Sequence, residues 1–484
     1  MTEENKQENT GSKYIKIKKF YFIMGVFLVI FLSAGITAVA LLVGDEKVQP
    51  SIVNERNEFS RLYEAYDILE DKYYTDIDED ALITGAINGM VDALNDPYSD
   101  YMNVEEASSF NEVISSSFEG IGAEIQQQNS KIVIVSPIKG TPAEKAGLQP
   151  NDVIVSVDGK SLTGVSSSEA VKLIKGEKGT KVTLVIQRGD AEPFTVELVR
   201  DTIPIQTVYA EMLDNGIAQI HLTSFSTSTT EELKEALEDM SSQGMKGLVL
   251  DLRGNPGGIM EQAVNIANMF VPEGKIIFQV EDPEGNRQVV KADGSKKIDV
   301  PLIVLVDNGS ASASEIVAAA ARESANVKIV GETTFGKGTV QTAQQFEDGS
   351  NLKYTSAKWL TPDGNWIHEK GIKPDETVEL PAYAQLTYIS PDKEYAEGSN
   401  ASEVEVAEKM LEALGYNPGT VDTVFDGQTK SAIEQLQKAV DIEATGVLTG
   451  ETTTALMNKL RELILENDTQ LDKAVELLDA ANNQ

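Results

Sequence analysis

The residues best suited to chemistry are three closely spaced serines and one lysine. Ser310, Ser312 and Ser314 follow an apolar run and precede a helical pattern, whereas Lys337 stands in a turn between two glycines. A serine hydroxyl can attack a carbonyl carbon if a base removes its proton, and a neutral lysine can act as that base. These residues raise the hypothesis of amide hydrolysis by a serine nucleophile.

Composition removes most alternative chemistries. The chain has no cysteine, which excludes thiol nucleophiles, thiolate metal ligands and disulfide bonds. Its two histidines, His221 and His368, lack zinc-binding spacing, and a catalytic triad built on either is disfavoured. The formal net charge of -36 argues against nucleic-acid binding because it repels phosphate backbones. We expect neither a metal nor a cofactor.

Both candidate residues also have ordinary explanations. Ser312 falls at the junction of a strand and a helix, where a serine caps the helix as readily as it serves as a nucleophile beside the helix amides. Lys337, judged by spacing alone, is first of all a lysine in a glycine turn. It could act as a base only if burial lowered its pKa from the ordinary value of about 10.4. The residues alone leave capping and catalysis about equal for the serine.

A strand–helix alternation between residues 201 and 385 places these residues in an α/β core with parallel strand pairs. The apolar strands at 247–252 and 302–307 are each followed by a helical pattern. Active sites in such cores lie at the carboxyl ends of the strands. The glycine-rich segment 253–258 and the serine-rich segment 308–314 both follow strands, so the sequence predicts the active site at these loops.

Outside this core the chain divides by periodicity and composition. An amphipathic pattern predicts two helices between residues 45 and 112, which either pack together or form a dimer arm. Residues 113–200 are typical of a small β-rich module with two helical pieces, and residues 386–401 of a polar linker. Residues 402–465 predict a compact helical unit. Residues 466–484 predict an acidic helix or a frayed tail.

The N-terminal residues predict a membrane anchor. Residues 20–44 carry no charge and, as a helix of roughly 37 Å, would cross a hydrocarbon core of about 30 Å. Lysines within residues 1–19 precede this stretch and Asp45 follows it, which places the N-terminus in the cytoplasm and the body outside a bacterial cell. The alternative is a cleaved signal peptide ending near Ala38-Val39-Ala40, which would also export the body.

Several motifs closely resemble the carboxyl-terminal processing, or tail-specific, protease family. They run in the family's order within residues 55–380 and read DLRGNPGG from Asp251, GSASASEI from Gly309, GETTFGKGTVQ from Gly331 and TPDGNWIHEKGIKPD from Thr361. The resemblance implies a crotonase- or Clp-protease-like catalytic core. It also implies an endopeptidase that cuts proteins near their C-termini through an acyl-enzyme.

The same resemblance implies a role for individual residues. Ser312 would be the nucleophile and Lys337 its base, with Gln341 orienting the lysine. Glycine in the oxyanion loop makes mechanical sense, because a backbone amide must approach the substrate without a side chain in the way. The two oxyanion amides would come from Ala313 and from either Gly257 or Gly258.

The β-rich module resembles a PDZ domain. Its segment Gly120, Ile121, Gly122 and Ala123 resembles the carboxylate-binding loop, whose free amides and adjacent strand edge capture a peptide C-terminus. A plain glycine turn is the alternative. Lys175 stands where family members often have Arg, so a contact between the PDZ domain and the core through this residue would lack arginine's bidentate geometry.

The unit at 402–465 resembles a three-helix peptidoglycan-binding domain, although Asp422-Thr423 replaces the usual Asp-Gly pair. It therefore binds the wall or serves as a spacer or protein-docking module. The resulting hypothesis is a membrane-anchored peptidase between membrane and wall. Its partners would be protein or peptide substrates with free C-termini, peptidoglycan and, with a dimer arm, a second copy. A non-catalytic PDZ adaptor at the same interface is the alternative from another class.

Overall fold

The computed structural model describes residues 57–128, 130–189 and 191–482. Two compact units are present, Met1–Ile87 and Asn88–Gln484. The predicted anchor at 20–44 and the tail before it lie outside the described residues. Within the described ranges, no helix is both long and apolar enough to cross a membrane.

The N-terminal region contains the two helices that its amphipathic pattern predicts. A 3-10 turn (Asn57–Phe59) leads into α1 (Ser60–Lys72), and α2 (Glu79–Asp92) follows. The second helix ends before Asp96-Pro97, as expected from the turn signal there. Neither helix buries a residue.

The β-rich module is a six-stranded antiparallel sheet. Its strands run in the order β3-β4-β5-β7-β8, with β6 paired to β5, so that β3 lies at an edge. Strands β2 and β9 pair where the chain enters and leaves the module. In chain order the elements are β1 (Asp100–Met102), α3 (Val104–Ser115), β2 (Ser117–Gly120), β3 (Ala123–Gln128), β4 (Lys131–Pro137), α4 (Pro142–Lys145), β5 (Val153–Val157), β6 (Lys160–Ser161), α5 (Ser167–Ile174), β7 (Lys181–Gln187), β8 (Phe194–Val199) and β9 (Asp201–Pro204).

The following region is the α/β core that the alternating pattern predicts. Its main sheet has the order β10-β11-β12-β15-β16-β19, and all neighbours except β10 and β11 are parallel. The elements are β10 (Val208–Met212), β11 (Ile217–Leu222), α6 (Thr229–Ser242), β12 (Gly247–Asp251), α7 (Met260–Asn268), β13 (Ile276–Glu281), β14 (Arg287–Lys291), β15 (Leu302–Val306), α8 (Ala313–Ala325), β16 (Lys328–Gly331), β17 (Thr339–Gln345), β18 (Asn351–Leu360) and β19 (Glu376–Thr377).

A second, antiparallel sheet carries the lysine loop. Strand β18 lies at its centre and pairs with β1, β13 and β17, while β14 pairs with β13. Strand β17 starts just after Lys337, so the pairing of β17 with β18 fixes where the lysine turn ends. Strands β17 and β18 are neighbours in the chain, but β1 and β13 pair with β18 from far along the sequence, and periodicity alone did not predict this sheet.

The C-terminal part contains a three-helix unit and one further helix. Helices α9 to α11 enclose a core of their own, in which the predicted residues Leu411, Ile433, Leu436 and Leu456 are fully buried. The elements are a 3-10 turn (Ala382–Gln385), α9 (Ser402–Ala413), α10 (Gly427–Ala439), α11 (Gly450–Glu466) and α12 (Thr469–Asn482).

The main sheet is covered on both faces. Because side chains alternate along a strand, Leu248 and Leu250 face α6 to α8, whereas Val249 faces the opposite side. On that side Val249 packs with Ala474 and Leu478 of α12. Of the two predictions for the last residues, the helix is correct, and it forms one layer of the α/β core.

Candidate active site

The predicted nucleophile occupies a strained turn at the carboxyl end of β15. Ser312 has φ 55° and ψ -110°, and α8 begins at the next residue. A positive φ is uncommon for a residue with a side chain and costs on the order of 1–3 kcal/mol, so the surrounding contacts must hold it. The turn places the Ser312 side chain at the N-terminus of α8.

The three serines have distinct environments. The buried Ser310 hydroxyl donates to the Leu252 carbonyl at 2.8 Å, and the buried Ser314 hydroxyl donates to the Asn255 carbonyl at 2.9 Å. Ser312 is half-buried, and its backbone N–H donates to the Glu315 side chain in the first turn of α8. Ser310 therefore fastens the serine-rich loop to the end of β12, and Ser314 fastens α8 to the glycine-rich loop.

A buried carboxylate links the serine turn to the lysine turn. Glu315, fully buried in the first turn of α8, accepts the backbone N–H of Ser312 at 2.8 Å. The same carboxylate accepts the Thr334 hydroxyl at 2.5 Å and the amides of Gly336 and Lys337 at 2.7 and 2.8 Å. Burial raises the pKa of Glu315, and these hydrogen bonds oppose the shift. This side chain therefore sets the spacing between the two turns.

Lys337 is half-buried beneath an aromatic ring. Its Nζ lies 4.8 Å from the centre of the Tyr98 ring, and its carbonyl accepts the indole N–H of Trp359 at 2.8 Å. Burial lowers the pKa of Lys337, repulsion from Lys353 adds to the shift, and Asp96 opposes it. The shift has the sign that a lysine base requires, although no hydrogen bond joins Nζ to the Ser312 hydroxyl within the described chain.

Gln341 does not contact Lys337 through a hydrogen bond in the residues that the structure describes. Its side-chain amide donates to the hydroxyls of Thr339 at 2.9 Å and Thr355 at 3.4 Å. It lies at an irregularity in the pairing of β17 with β18. The predicted role in orienting the lysine therefore stays a prediction.

The glycine-rich loop lies directly against the serine turn. A Cβ atom added to Gly257, which has φ 100°, would meet the Ala311 carbonyl oxygen at 2.7 Å and the Ser312 Cβ at 2.9 Å. The Gly257 amide already donates to the Asn255 side chain at 2.8 Å. In the described residues, the amides of Gly258 and Ala313 have no such acceptor. Of the two candidate glycines, Gly258 therefore has the free donor.

Asn255 joins the two loops. It is fully buried, and its carbonyl accepts the Ala311 amide at 3.0 Å as well as the Ser314 hydroxyl. Its side-chain amide donates to the Leu222 carbonyl at 2.7 Å. The loops at 253–258 and 308–314 thus meet at the carboxyl edge of the sheet, as the sequence predicts.

Both histidines have structural partners away from the serine hydroxyl. His221 Nε2 lies 3.2 Å from the Arg253 carbonyl. His368 Nδ1 accepts the Gly338 amide at 3.3 Å, and its ring stacks on Trp366. These contacts agree with the prediction that neither histidine is the base.

The predicted carboxylate-binding loop lies beside the free edge of β3. Gly120, Ile121 and Gly122 are buried, and the Gly122 carbonyl accepts the Ile138 amide at 2.8 Å. Among described residues, the amides of Ile121 and Gly122 donate to no backbone or side-chain acceptor. Ala123 begins β3. The loop therefore offers two adjacent free donors at the end of an open strand edge.

Lys175 contacts the residues that lead into the module. Its Nζ forms an ion pair with Glu112 of α3 at 2.7 Å and lies 5.0 Å from the centre of the Phe118 ring. The described ion pair therefore joins the module to helix α3 and not to the 201–385 core, because the lysine side chain points towards the entry strand β2.

Sequence reasoning missed Tyr98, Asn255 and Glu315 as members of the site. Asn255 lies within the motif from Asp251 and Glu315 within the motif from Gly309, so the motifs mark their location. Their roles depend on contacts between loops that are distant in the chain. Tyr98 lies more than 200 residues before Lys337, and nothing in the sequence around it indicates that its ring packs on the lysine.

Comparison with known proteins identifies the family. The model of peptidase family S41 matches residues 216–378. The carboxy-terminal processing protease CtpA of Bacillus subtilis is 49% identical over 455 residues, which cover 93% of this chain and 97% of that protein. A probable CtpA-like serine protease of Staphylococcus aureus (strain COL) is 39% identical and covers 99% and 96%. The chain belongs to peptidase family S41, as a carboxy-terminal processing serine protease.

Other family models match further parts of the chain. A PDZ model matches residues 133–188, a putative peptidoglycan-binding model matches 400–456, and a model named for the N-terminal domain of the activating protease CtpB matches 38–106. A solved photosystem II D1 C-terminal processing protease is 33% identical, covers 66% of this chain and 87% of its own, and has a TM-score of 0.40. The PDZ and peptidoglycan-binding domains predicted from the sequence are confirmed.

Proposed function

We propose that this protease uses Ser312 as nucleophile and neutral Lys337 as base. The observation that carries the proposal is the strained Ser312 at the start of α8, tied through Glu315 to a lysine whose pKa is lowered. The amides of Ala313 and Gly258 would stabilise the oxyanion. Within the described residues both amides lack an acceptor; Ala313 follows Ser312 directly, and Gly258 follows Gly257, which packs against Ser312.

The reaction follows from these roles. The Ser312 oxygen attacks the scissile carbonyl carbon while its proton passes to Lys337 Nζ. The resulting lysine ammonium then gives the proton to the leaving amine as the C–N bond breaks, which forms an acyl-enzyme. Water hydrolyses the ester with Lys337 again taking a proton. Within the described residues Nζ makes no hydrogen bond to the Ser312 hydroxyl, so the two groups must come within hydrogen-bond reach for the first step.

Active-site labelling tests this assignment. Ser312→Ala should lower turnover by several orders of magnitude, as expected for the loss of a covalent nucleophile. A diphenyl phosphonate should form its adduct on Ser312, located by mass spectrometry. Ser310→Ala and Ser314→Ala are matched controls that should keep the adduct. An adduct on Ser310 or Ser314 would contradict the assignment, and a chain with no adduct would favour the non-catalytic adaptor.

We further propose that the PDZ domain binds the substrate's C-terminus. The free amides of Ile121 and Gly122 would donate hydrogen bonds to the carboxylate, and β3 would pair with the peptide as an added strand. A peptide with a free carboxylate should bind the full-length chain clearly more tightly than its C-terminal amide. Equal affinities of the acid and the amide, measured by fluorescence anisotropy, would contradict recognition of the carboxylate and would leave strand pairing as the remaining mode of binding.

The location of the enzyme is proposed from the sequence. Residues 20–44 would hold the chain in the membrane with its body outside, and the three-helix unit would bind peptidoglycan. Membrane fractionation with protease accessibility of the body tests the first point. Co-sedimentation of the full-length chain with purified cell walls tests the second, with failure to sediment indicating a spacer or docking role.

The exposed N-terminal helices support a dimer arm. Helix α1 buries no residue and exposes Leu62, Tyr63 and Leu69. A second copy of the chain would cover this apolar face. Leu62→Glu combined with Leu69→Glu should convert a dimer to a monomer in sedimentation equilibrium, whereas a monomeric wild-type chain would contradict the proposal.

A further inference from the structure

Helix α12 begins at the edge of the active-site loops. The Thr469 hydroxyl donates to the Glu379 carbonyl and the Gln470 side chain to the Val378 carbonyl, both at 2.8 Å. Gln470 is fully buried. Helix α11 of the three-helix unit ends at Glu466, so a single residue separates it from Asp468. The position of Asp468 is therefore fixed from both sides.

Asp468 forms an ion pair with Arg253, the first residue of the glycine-rich loop. Its two carboxylate oxygens accept the Arg253 guanidinium at 2.8 and 2.7 Å, while Asp251 accepts it at 2.9 and 2.6 Å and Gln470 at 3.0 Å. These contacts use all five N–H donors of the guanidinium. The Arg253 side chain is only 14% exposed, so water cannot easily replace a lost partner.

Arg253 continues directly into the oxyanion loop. The Gly254 amide donates to Asp307 at 2.8 Å, and Asn255 then holds the Gly257 amide and the Ala311 amide. Four residues separate Arg253 from Gly258, and two of them, Asn255 and Gly257, are buried, so a displacement of Arg253 would be passed along this backbone to Gly258. Small shifts of positioned groups reduce turnover strongly because the reacting geometry is narrow.

We propose that Asp468 is a positioning residue of the protease, which holds the oxyanion loop through Arg253. It immediately precedes α12 and lies outside residues 216–378, which match the family model, so the start of the C-terminal helix completes the active site. The proposal rests on the proposed role of Gly258 and Ala313 in the oxyanion hole. It assigns α12 a part in catalysis as well as in covering the sheet.

A purely structural role for Asp468 can be separated from this one. Asp468 also accepts the Leu471 amide at 3.0 Å and so caps α12. Asparagine caps helices about as well as aspartate. Asp468→Asn therefore keeps the cap but leaves Arg253 facing an amide N–H₂ in place of one carboxylate oxygen. Asp472→Asn is the matched control, because it makes the same change of charge on an exposed face of α12.

The experiment measures cleavage of fluorescein-labelled unfolded casein by the full-length chain in mild detergent. Asp468→Asn should lower kcat by roughly 10- to 100-fold with little change in KM, and should slow phosphonate labelling of Ser312 in parallel. Asp472→Asn should match the wild type. In an Arg253→Gln background, Asp468→Asn should not lower kcat further, because the ion pair between Arg253 and Asp468 is already lost.

The outcomes are separable. Equal kcat values for Asp468→Asn and Asp472→Asn would overturn the proposal, and so would an effect confined to KM. Thermal melting shows whether the variant is folded; if it is not, Asp468→Glu, which keeps the charge, provides the second comparison and should restore much of kcat. Full activity in Ser312→Ala would instead refute the proposed nucleophile. That outcome differs from equal kcat values for Asp468→Asn and Asp472→Asn, so the two failures can be told apart.

Discussion

Glu315→Gln is the substitution that tests most directly how the site is held together. One carboxylate oxygen accepts Thr334 and Gly336, and the other accepts Ser312 and Lys337. A glutamine amide presents one oxygen and one N–H₂ group. Whichever way it turns, two of the four donors lose their acceptor in a fully buried place.

The expected cost follows from that count. Each buried donor left without a partner costs about 1–3 kcal/mol, so the variant should lose roughly 2–6 kcal/mol of unfolding free energy. The lower part of the range applies if the N–H₂ group faces Thr334, whose hydroxyl also accepts the Ile372 amide at 2.7 Å and could accept the new donor. Turnover should fall as well, by about 10-fold or more, because the serine and lysine turns are no longer held at fixed spacing.

Urea unfolding and casein cleavage by the full-length chain measure the two effects. Glu261→Gln is the matched control, because it removes the same charge from an exposed position of α7. If Glu315→Gln had the same free energy of unfolding and the same turnover as Glu261→Gln, the reasoning that Glu315 links the two turns would be refuted. Loss of stability with unchanged turnover would reduce its role to packing.

Three further variants test the remaining physical arguments. Burial lowers the pKa of Lys337, so the folded state disfavours its ammonium below that lowered pKa, and the cost disappears as pH rises towards 10.5. Lys337→Met should therefore be inactive yet more stable than wild type in urea at pH 7, with a smaller difference at pH 10; a less stable variant would contradict this. Asp96→Asn removes a charge that raises the Lys337 pKa, so the acid limb of kcat/KM against pH should move to lower pH. Gly257→Ala would place a Cβ 2.7 Å from the Ala311 carbonyl and 2.9 Å from Ser312 Cβ, and should lower kcat far more than Gly254→Ala, whose Cβ would meet nothing within 4 Å.

The parts of the fold predictable from the sequence are those fixed by local pattern. Buried parallel strands are apolar throughout, and all five residues of β12 are buried, so the Gly247–Asp251 run was recognisable without its neighbours. The turn after β15 was likewise predicted, because a serine-rich loop between a buried strand and an alanine-rich helix has few other interpretations. The helical unit at the C-terminus followed from its own spacing of leucines.

The parts that could not be predicted depend on pairings between distant residues. The segments 339–345 and 351–360 are neighbours in the chain, but nothing in them says that strands at 100–102 and 276–281 complete the sheet from which the lysine turn emerges. Glu315 reads as an ordinary helix residue until the turn at 334–337 lies against it. Asp468 reads as one of many acidic residues near the end of an acidic chain.

The Tyr98 ring that packs on Lys337 responds to the charge of the proposed base. A lysine is attracted to an aromatic face only while it is charged, so the contact with Tyr98 favours the ammonium. Burial acts in the opposite direction and lowers the pKa. When Lys337 loses its proton, its attraction to Tyr98 weakens, and the same event creates the lone pair that accepts the Ser312 proton. In the proposed mechanism, deprotonation therefore frees Nζ from the Tyr98 ring at the moment when Nζ becomes able to act as a base.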